Sequence, residues 1–267
     1  MKRLILVLGF LTGTAGALHA GAWTLPQDGW YLEETVSEFQ TDTDFDHNGH
    51  KVKKNFNGVY TERAFKNYAE YGVANGWNLL VTLPYRRSHY VDDYSDVGNG
   101  GFQDLKVGMK YWWLSDPVVV SFAVSPSFPT GYNPGHPLPL GDARGNLEGR
   151  LFVSKDFDLW NGRLFLNGEL AKDRYGMPYY ADVIHLPLPW LFTKFYLSGQ
   201  KDLPSQPGGE SFMQWNAGVG VTSEGSNAVM RSQRYKSVSL TLLYGQLFKG
   251  RNSGYGTNLT LVLALVF

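Results

Sequence analysis

The sequence predicts an all-β protein, a transmembrane antiparallel up-and-down β-barrel of about 12 strands, on three observations. The segment 254–267 puts Leu259, Leu261, Leu263, Leu265 and Phe267 on one strand face and Asn258, Thr260 and Ala264 on the other, because side chains alternate with period two. Alternating segments of about ten residues recur along the chain, the length a tilted strand needs to cross a bilayer. Trp30, Trp77, Trp113, Trp160 and Trp190 all fall at strand ends on one side of such a barrel. Indole prefers that membrane interface, with its ring buried and its N–H wet.

Taken in order, Met1-Lys2-Arg3 is a short basic start, and residues 4–11 are an apolar run too short to span a bilayer. Ala15-Gly16-Ala17 and Ala20-Gly21-Ala22 both fit an A-x-A cleavage pattern. Residues 1–22 therefore read as a secretory signal peptide and 23–267 as one barrel domain. Strands are expected near 30–39, 60–71, 77–88, 103–114, 117–128, 145–155, 162–172, 179–187, 191–201, 211–222, 236–247 and 256–267. The first sets Leu32 and Val36 against Glu33, Thr35 and Ser37, and Leu105, Val107, Met109, Tyr111 and Trp113 alternate cleanly in the fourth. Pro187 and Pro189 blur the end of the eighth.

Short links near 73–76, 115–116, 156–161 and 188–189 alternate with longer ones near 40–58, 89–102, 129–144, 173–178, 202–210 and 248–255. A closed barrel with both ends in the periplasm requires an even strand number, tight inner turns and longer outer loops. The link at 223–235 is long where a short turn is expected. Phe267 resembles the terminal aromatic that barrel-assembly machinery reads as a tag. The expected location is the bacterial outer membrane.

Composition narrows the function classes. The 24 Lys and Arg balance 24 Asp and Glu, and no Cys is present. Disulfides and a lipoprotein anchor are thereby excluded, and no basic stripe recruits nucleic acid. With the greasier faces outward, the inward set includes Glu33, Glu62, Lys66, Glu70, Arg86, Asp104, Lys106, Lys110, Glu148, Arg150, Arg163, Glu169 and Lys194. Its signs are mixed and nearly balanced, whereas an ion-selective pore shows a ring of one sign. These residues read either as charge pairs bracing a narrow barrel or as a ladder along a solute path. Twelve strands about 4.8 Å apart and tilted about 40° enclose a cylinder roughly 24 Å across, leaving a passage of roughly 10 Å or less.

Two motifs carry a resemblance. Asn99-Gly-Gly-Phe-Gln-Asp-Leu-Lys-Val-Gly-Met-Lys-Tyr111 resembles the G-x-G-D-L-x-x-G-x-K-Y strand opening of the phenol-degradation meta-pathway family of outer-membrane proteins. Phe128-Pro-Thr-Gly-Tyr132, followed by Leu140-Gly-Asp142, resembles that family's L-P-T-G loop and L-G-x-G return. Asp104 and Lys110 match the family's Asp and Lys, while Gln103 stands where the family has its second Gly. The likeness spans roughly residues 60–220. It implies a transporter-like barrel passing small, often aromatic or hydrophobic molecules.

Catalysis and metal binding find little footing. A lipid-hydrolysing barrel needs a Ser and a His on one outer face. Past the leader the histidines are His47, His50, His89, His136 and His185, and adjacent Ser88 and His89 face opposite sides of a strand. Asp44-Phe-Asp46-His-Asn48-Gly49 matches half a calcium loop, but its twelfth position is Asn55, so a Gly turn explains it. No cofactor or metal is expected. The leading expectation is a channel for small, including hydrophobic or aromatic, solutes, with outer-membrane lipid, assembly machinery and the solute as partners. A structural or surface-interaction protein acting through its outer loops is the alternative, and a lipid hydrolase stands third.

Overall fold

A computed structural model describes residues 21–141, 143–174, 176–202, 211–223 and 237–267. The expected leader up to residue 20, Asp142, and nearly all of the links at 202–210 and 223–235 lie outside the described residues.

Fourteen strands form one sheet: β1 Trp30–Phe45, β2 Lys51–Lys53, β3 Val59–Ala74, β4 Trp77–Val91, β5 Asp96–Phe102, β6 Leu105–Leu114, β7 Val119–Phe128, β8 Asn146–Leu159, β9 Gly162–Lys172, β10 Gly176–Leu188, β11 Leu191–Asp202, β12 Ser211–Thr222, β13 Ser237–Arg251 and β14 Ser253–Val266. β2 pairs only with the tip of β1. β5 pairs with the outer part of β4 and β6 with its inner part. They form one wall strand broken at Gln103–Asp104, and the Gln103 N–H still donates to Pro84 O across the break (2.8 Å). The wall is thus a closed antiparallel barrel of 12 strands. β14 closes it on β1 from Tyr31 opposite Val266 to Phe45 opposite Ser253. Reciprocal bonds between Trp30 and Phe267 extend the seam by one pair (2.6 and 2.9 Å). Closure satisfies every edge, which a bilayer-spanning sheet requires.

The outer ends of several strands run further than the alternation predicts. β1 continues to Phe45, β4 to Val91 and β13 to Arg251, and most of the expected loop 89–102 is the β4–β5 hairpin. Above the bilayer both strand faces meet water, so polar residues such as Gln40, Asp42 and Asp44 occupy either side and the period fades. The backbone ladder persists without it. Asn252 reverses the chain in one residue at φ 50°, where the sequence suggested a longer link. Between His185 and Leu188 the register slips against β11, so Pro187 sits in a bulge where no ladder hydrogen bond is required of it.

The interior is packed in three apolar clusters, and each takes one residue from the segment before β1. Ala22 joins Leu80, Ala123 and Phe152, Trp23 packs on Phe165, Ile184, Leu186 and Phe192, and Leu25 joins Tyr31 and Ala264.

Candidate functional site

The candidate site is the barrel lumen. All of Glu62, Lys66, Glu70, Arg86, Lys106, Lys110, Glu148, Arg150, Arg163, Glu169 and Lys194 share the inward face with buried neighbours such as Asn78, Phe152 and Asp182. Most are paired. Glu148 receives Lys106 Nζ (2.9 Å) and the Arg150 guanidinium, whose other nitrogen reaches Glu169 (2.8 Å). Glu70 holds Lys110 Nζ (3.3 Å) and accepts from Asn78 Nδ2 (2.6 Å). Lys194 meets Asp182 at 3.0 Å, and Arg163 bridges Asp156 (2.6 Å) and Asp158 (3.0 Å). Arg86 approaches Glu62 at 3.7 Å. Lys66 forms no ion pair among the described residues and stands 5.6 Å from the Tyr68 ring centroid. Such pairing offsets the cost of burying charge and leaves no ring of one sign.

Aromatic hydroxyls complete the lining. Tyr31, Tyr60, Tyr68 and Tyr180 each donate to the carboxylate two residues on, at Glu33 (2.6 Å), Glu62 (2.5 Å), Glu70 (2.5 Å) and Asp182 (2.6 Å). Residues i and i+2 share a strand face, so a Tyr-x-acid run writes this bond into the sequence. It was the signal by which Asp182 and these tyrosines could have been found. Tyr180 also lies against Tyr196, their ring centroids 5.2 Å apart.

The inner half of the bore is filled by residues 22–29. Ala22 N–H donates to Ser154 Oγ (2.9 Å) and Leu25 N–H to Asn78 Oδ1 (3.1 Å). Trp23 meets Phe165 edge-on at 6.4 Å. Ala22, Trp23 and Leu25 thus engage three different sectors of the wall, and the segment crosses the lumen. Asp28 N–H then donates to Gly72 O (2.8 Å) and Gly72 N–H to Gly29 O (2.9 Å). Gly72 is required here, since a Cβ would lie 1.8 Å from Pro26 O. Sequence reading ends the leader at Ala22 and places residues 23–29 at the start of the barrel domain, without assigning either to the lumen.

The outer mouth is narrowed by the 129–141 loop, and the two motifs of the resemblance meet there. Asn99 Nδ2 donates to Leu138 O (2.7 Å), Gln103 Nε2 to Leu140 O (3.0 Å), and Arg86 to Pro139 O. Tyr132 donates to Asp104, which lies at the break between β5 and β6 rather than within the charge network. Leu140 is buried against Gly101. Gln103, the departure from the family pattern, is therefore one of the residues that hold the loop.

Trp30, Trp77, Trp113, Trp160 and Trp190 lie at the β1 start and the β3–β4, β6–β7, β8–β9 and β10–β11 turns, all at one end and all exposed. Trp30 stacks on Tyr71 (4.7 Å) and Trp77 on Tyr111 (4.5 Å). Phe267 lies at the same end, half-exposed. The Asp46 carboxylate accepts from His50 N–H and Asn48 N–H (both 2.8 Å), and these bonds hold its pKa below the usual carboxylate range. The half calcium motif is thus a turn cap, with Gly49 at φ 83°. Ser88 is buried inward, hydrogen-bonded to Tyr60 Oη (3.1 Å), while His89 faces outward against Asp96 (2.7 Å). The two do not meet.

No known family matches this sequence, and no curated protein does. Solved structures are similar in fold. The COG4313 outer membrane channel from Pseudomonas putida F1 is 15% identical with a TM-score of 0.64, over 94% of this chain and 100% of that one. The translocator domain of autotransporter NalP from Neisseria meningitidis gives 11% and 0.46, over 100% and 93%. A TodX monoaromatic hydrocarbon channel mutant gives 7% and 0.38, over 96% of each chain. At 15% identity, what the first establishes is a shared barrel fold.

Proposed function

We propose that this chain is an outer-membrane channel for small solutes, hydrophobic or aromatic ones among them. One observation carries the reading: a closed barrel holds a charge-neutralised, tyrosine-lined lumen whose two ends are occupied by segments of the chain itself, 22–29 and 129–141. A barrel serving only as scaffold needs no closures hydrogen-bonded at both ends. Balanced charges suit solutes without a strong net charge, and the rings of Tyr68, Tyr180 and Tyr196 line the lumen for an aromatic guest. The Pseudomonas putida protein is described as an outer membrane channel, and this reading carries that description to the present chain. The apolar outward face and the aromatic end support a location in the outer membrane.

The alternative, a surface-interaction protein, is favoured by the tightly tied outer loop. Planar-bilayer recording and liposome swelling separate the two. The channel reading expects small, weakly ion-selective currents and swelling in small zwitterionic or aromatic solutes. Folded barrels that show neither would sink it.

A further inference from the structure

The outward face of the wall is apolar on most strands; polar residues interrupt it at Glu34 and Asn67 on β1 and β3, and again nearer the inner end at His185 and Thr193 on β10 and β11. Five residues paired in register run Leu240, Leu263, Glu34, Asn67 and then Leu83 across β13, β14, β1, β3 and β4. Two leucines flank the polar pair on one side and one on the other. Glu34 and Asn67 are exposed, and neither side chain has a hydrogen bond or ion pair among the described residues. Four residues beyond Trp30, at about 3.3 Å rise and 40° tilt, Glu34 stands about 10 Å above the inner aromatic level, within an apolar band about 25 Å tall. A carboxyl and an amide facing hydrocarbon there are costly unless a partner covers them.

Two rows further out, Glu38 is the register partner of Arg63, and they pair at 3.0 Å. Between the two polar rows lie Val36 and Phe65, both exposed. We propose that this face, the outer surface of β1 and β3, binds a second copy of the chain across a two-fold axis running between the two strands. Such an axis sets Glu34 of one copy opposite Asn67 of the other, and Asn67 opposite Glu34. It also sets Glu38 opposite Arg63 in both directions. One axis serves both couples because both are register pairs of the same two strands. Strand tilt offsets register partners in height by about 3 Å, within reach of a Glu side chain. This self-complementarity is what an isologous interface requires and what lipid alone does not. Arg87, beside Arg63 and exposed, lies farther from the axis on the flank.

The inference rests on the wall facing lipid. The chain has no Cys, so Glu34→Cys and Asn67→Cys each introduce the only thiol. Both variants are mixed in proteoliposomes and oxidised with copper phenanthroline. The mixture should form a species of twice the monomer mass at least several-fold faster than Leu166→Cys, which faces outward on β9 across the barrel. In the Cys-free chain, E34L with N67L should shift bilayer-embedded protein from dimer to monomer in single-molecule photobleaching. Mixed cross-linking no faster than the Leu166→Cys control overturns the proposal. So does a monomeric unsubstituted chain, or a cross-link to a different protein in native membranes. A monomer that still conducts overturns the dimer while leaving the channel reading intact.

Discussion

Gly72→Ala is the sharpest perturbation the lumen offers. The new Cβ would fall 1.8 Å from Pro26 O, where real contacts stay above 3.0 Å, so the two must part by more than an ångström. β3 is held at this point by its neighbours, with Tyr71 opposite Trp30 and Gly72 opposite Asn78. The 22–29 segment is the part that yields. Its bonds to Gly72, at 2.8 and 2.9 Å, then stretch beyond hydrogen-bonding distance. At about 1 kcal/mol each, the loss is about 2 kcal/mol. That raises the ratio of displaced to seated segment roughly 30-fold, since 1.4 kcal/mol is tenfold. Single-channel recording reads this as a higher open probability. Gly149→Ala is the control, because its Cβ would meet nothing within 4 Å. An unchanged open probability in folded Gly72→Ala barrels would refute the claim that the segment closes the path.

Three further outcomes follow from the geometry. Leu242→Arg, on the outward face and half-exposed, should lower barrel stability by roughly 2–4 kcal/mol near the bilayer midplane, measured by urea titration in lipid. Glu148→Gln leaves Lys106 and Arg150 without their shared carboxylate and should move the reversal potential toward anion preference under asymmetric salt; a shift toward cations would contradict the assigned network. The Asp92 carboxylate caps Tyr94 N–H (2.8 Å) and Ser95 N–H (2.7 Å), and the Tyr94 bond is the main cause of its lowered pKa. A depressed carboxylate stabilises above its unfolded pKa and loses that contribution as pH falls through its folded pKa. A spin label at Ser95→Cys should therefore gain mobility on acidification, and in Asp92→Ala it should be mobile at every pH.

The barrel was legible because lipid enforces a strict division between strand faces. Leu259, Leu261 and Leu263 against Asn258 and Thr260 record that division without help from tertiary context. The inward charges followed by parity from the same faces. The outer reach of β1, β4 and β13 was not legible, because water on both faces removes the pattern while the ladder continues. The occupied lumen was also hidden. Ala22, Trp23 and Leu25 carry no periodicity, and their partners Ser154, Phe165 and Tyr31 are scattered along the chain. The outer loop was half legible: both motifs stood out, but nothing in their spacing said that they bind each other.

The Tyr-x-acid bonds bear on the order in which the barrel forms. Each links residues two apart in one strand, so it is present as soon as that strand is extended. The Arg150–Glu169 pair needs only the β8–β9 hairpin. Most acidic groups of the lining therefore have a partner before closure of β14 on β1. The segment before β1 is different, because its bonds bridge 53 residues at Asn78 and 132 at Ser154. Contacts of high sequence separation form late. Seating of residues 22–29 consequently waits until β4 and β8 are in place, whereas the local pairs of the lining do not.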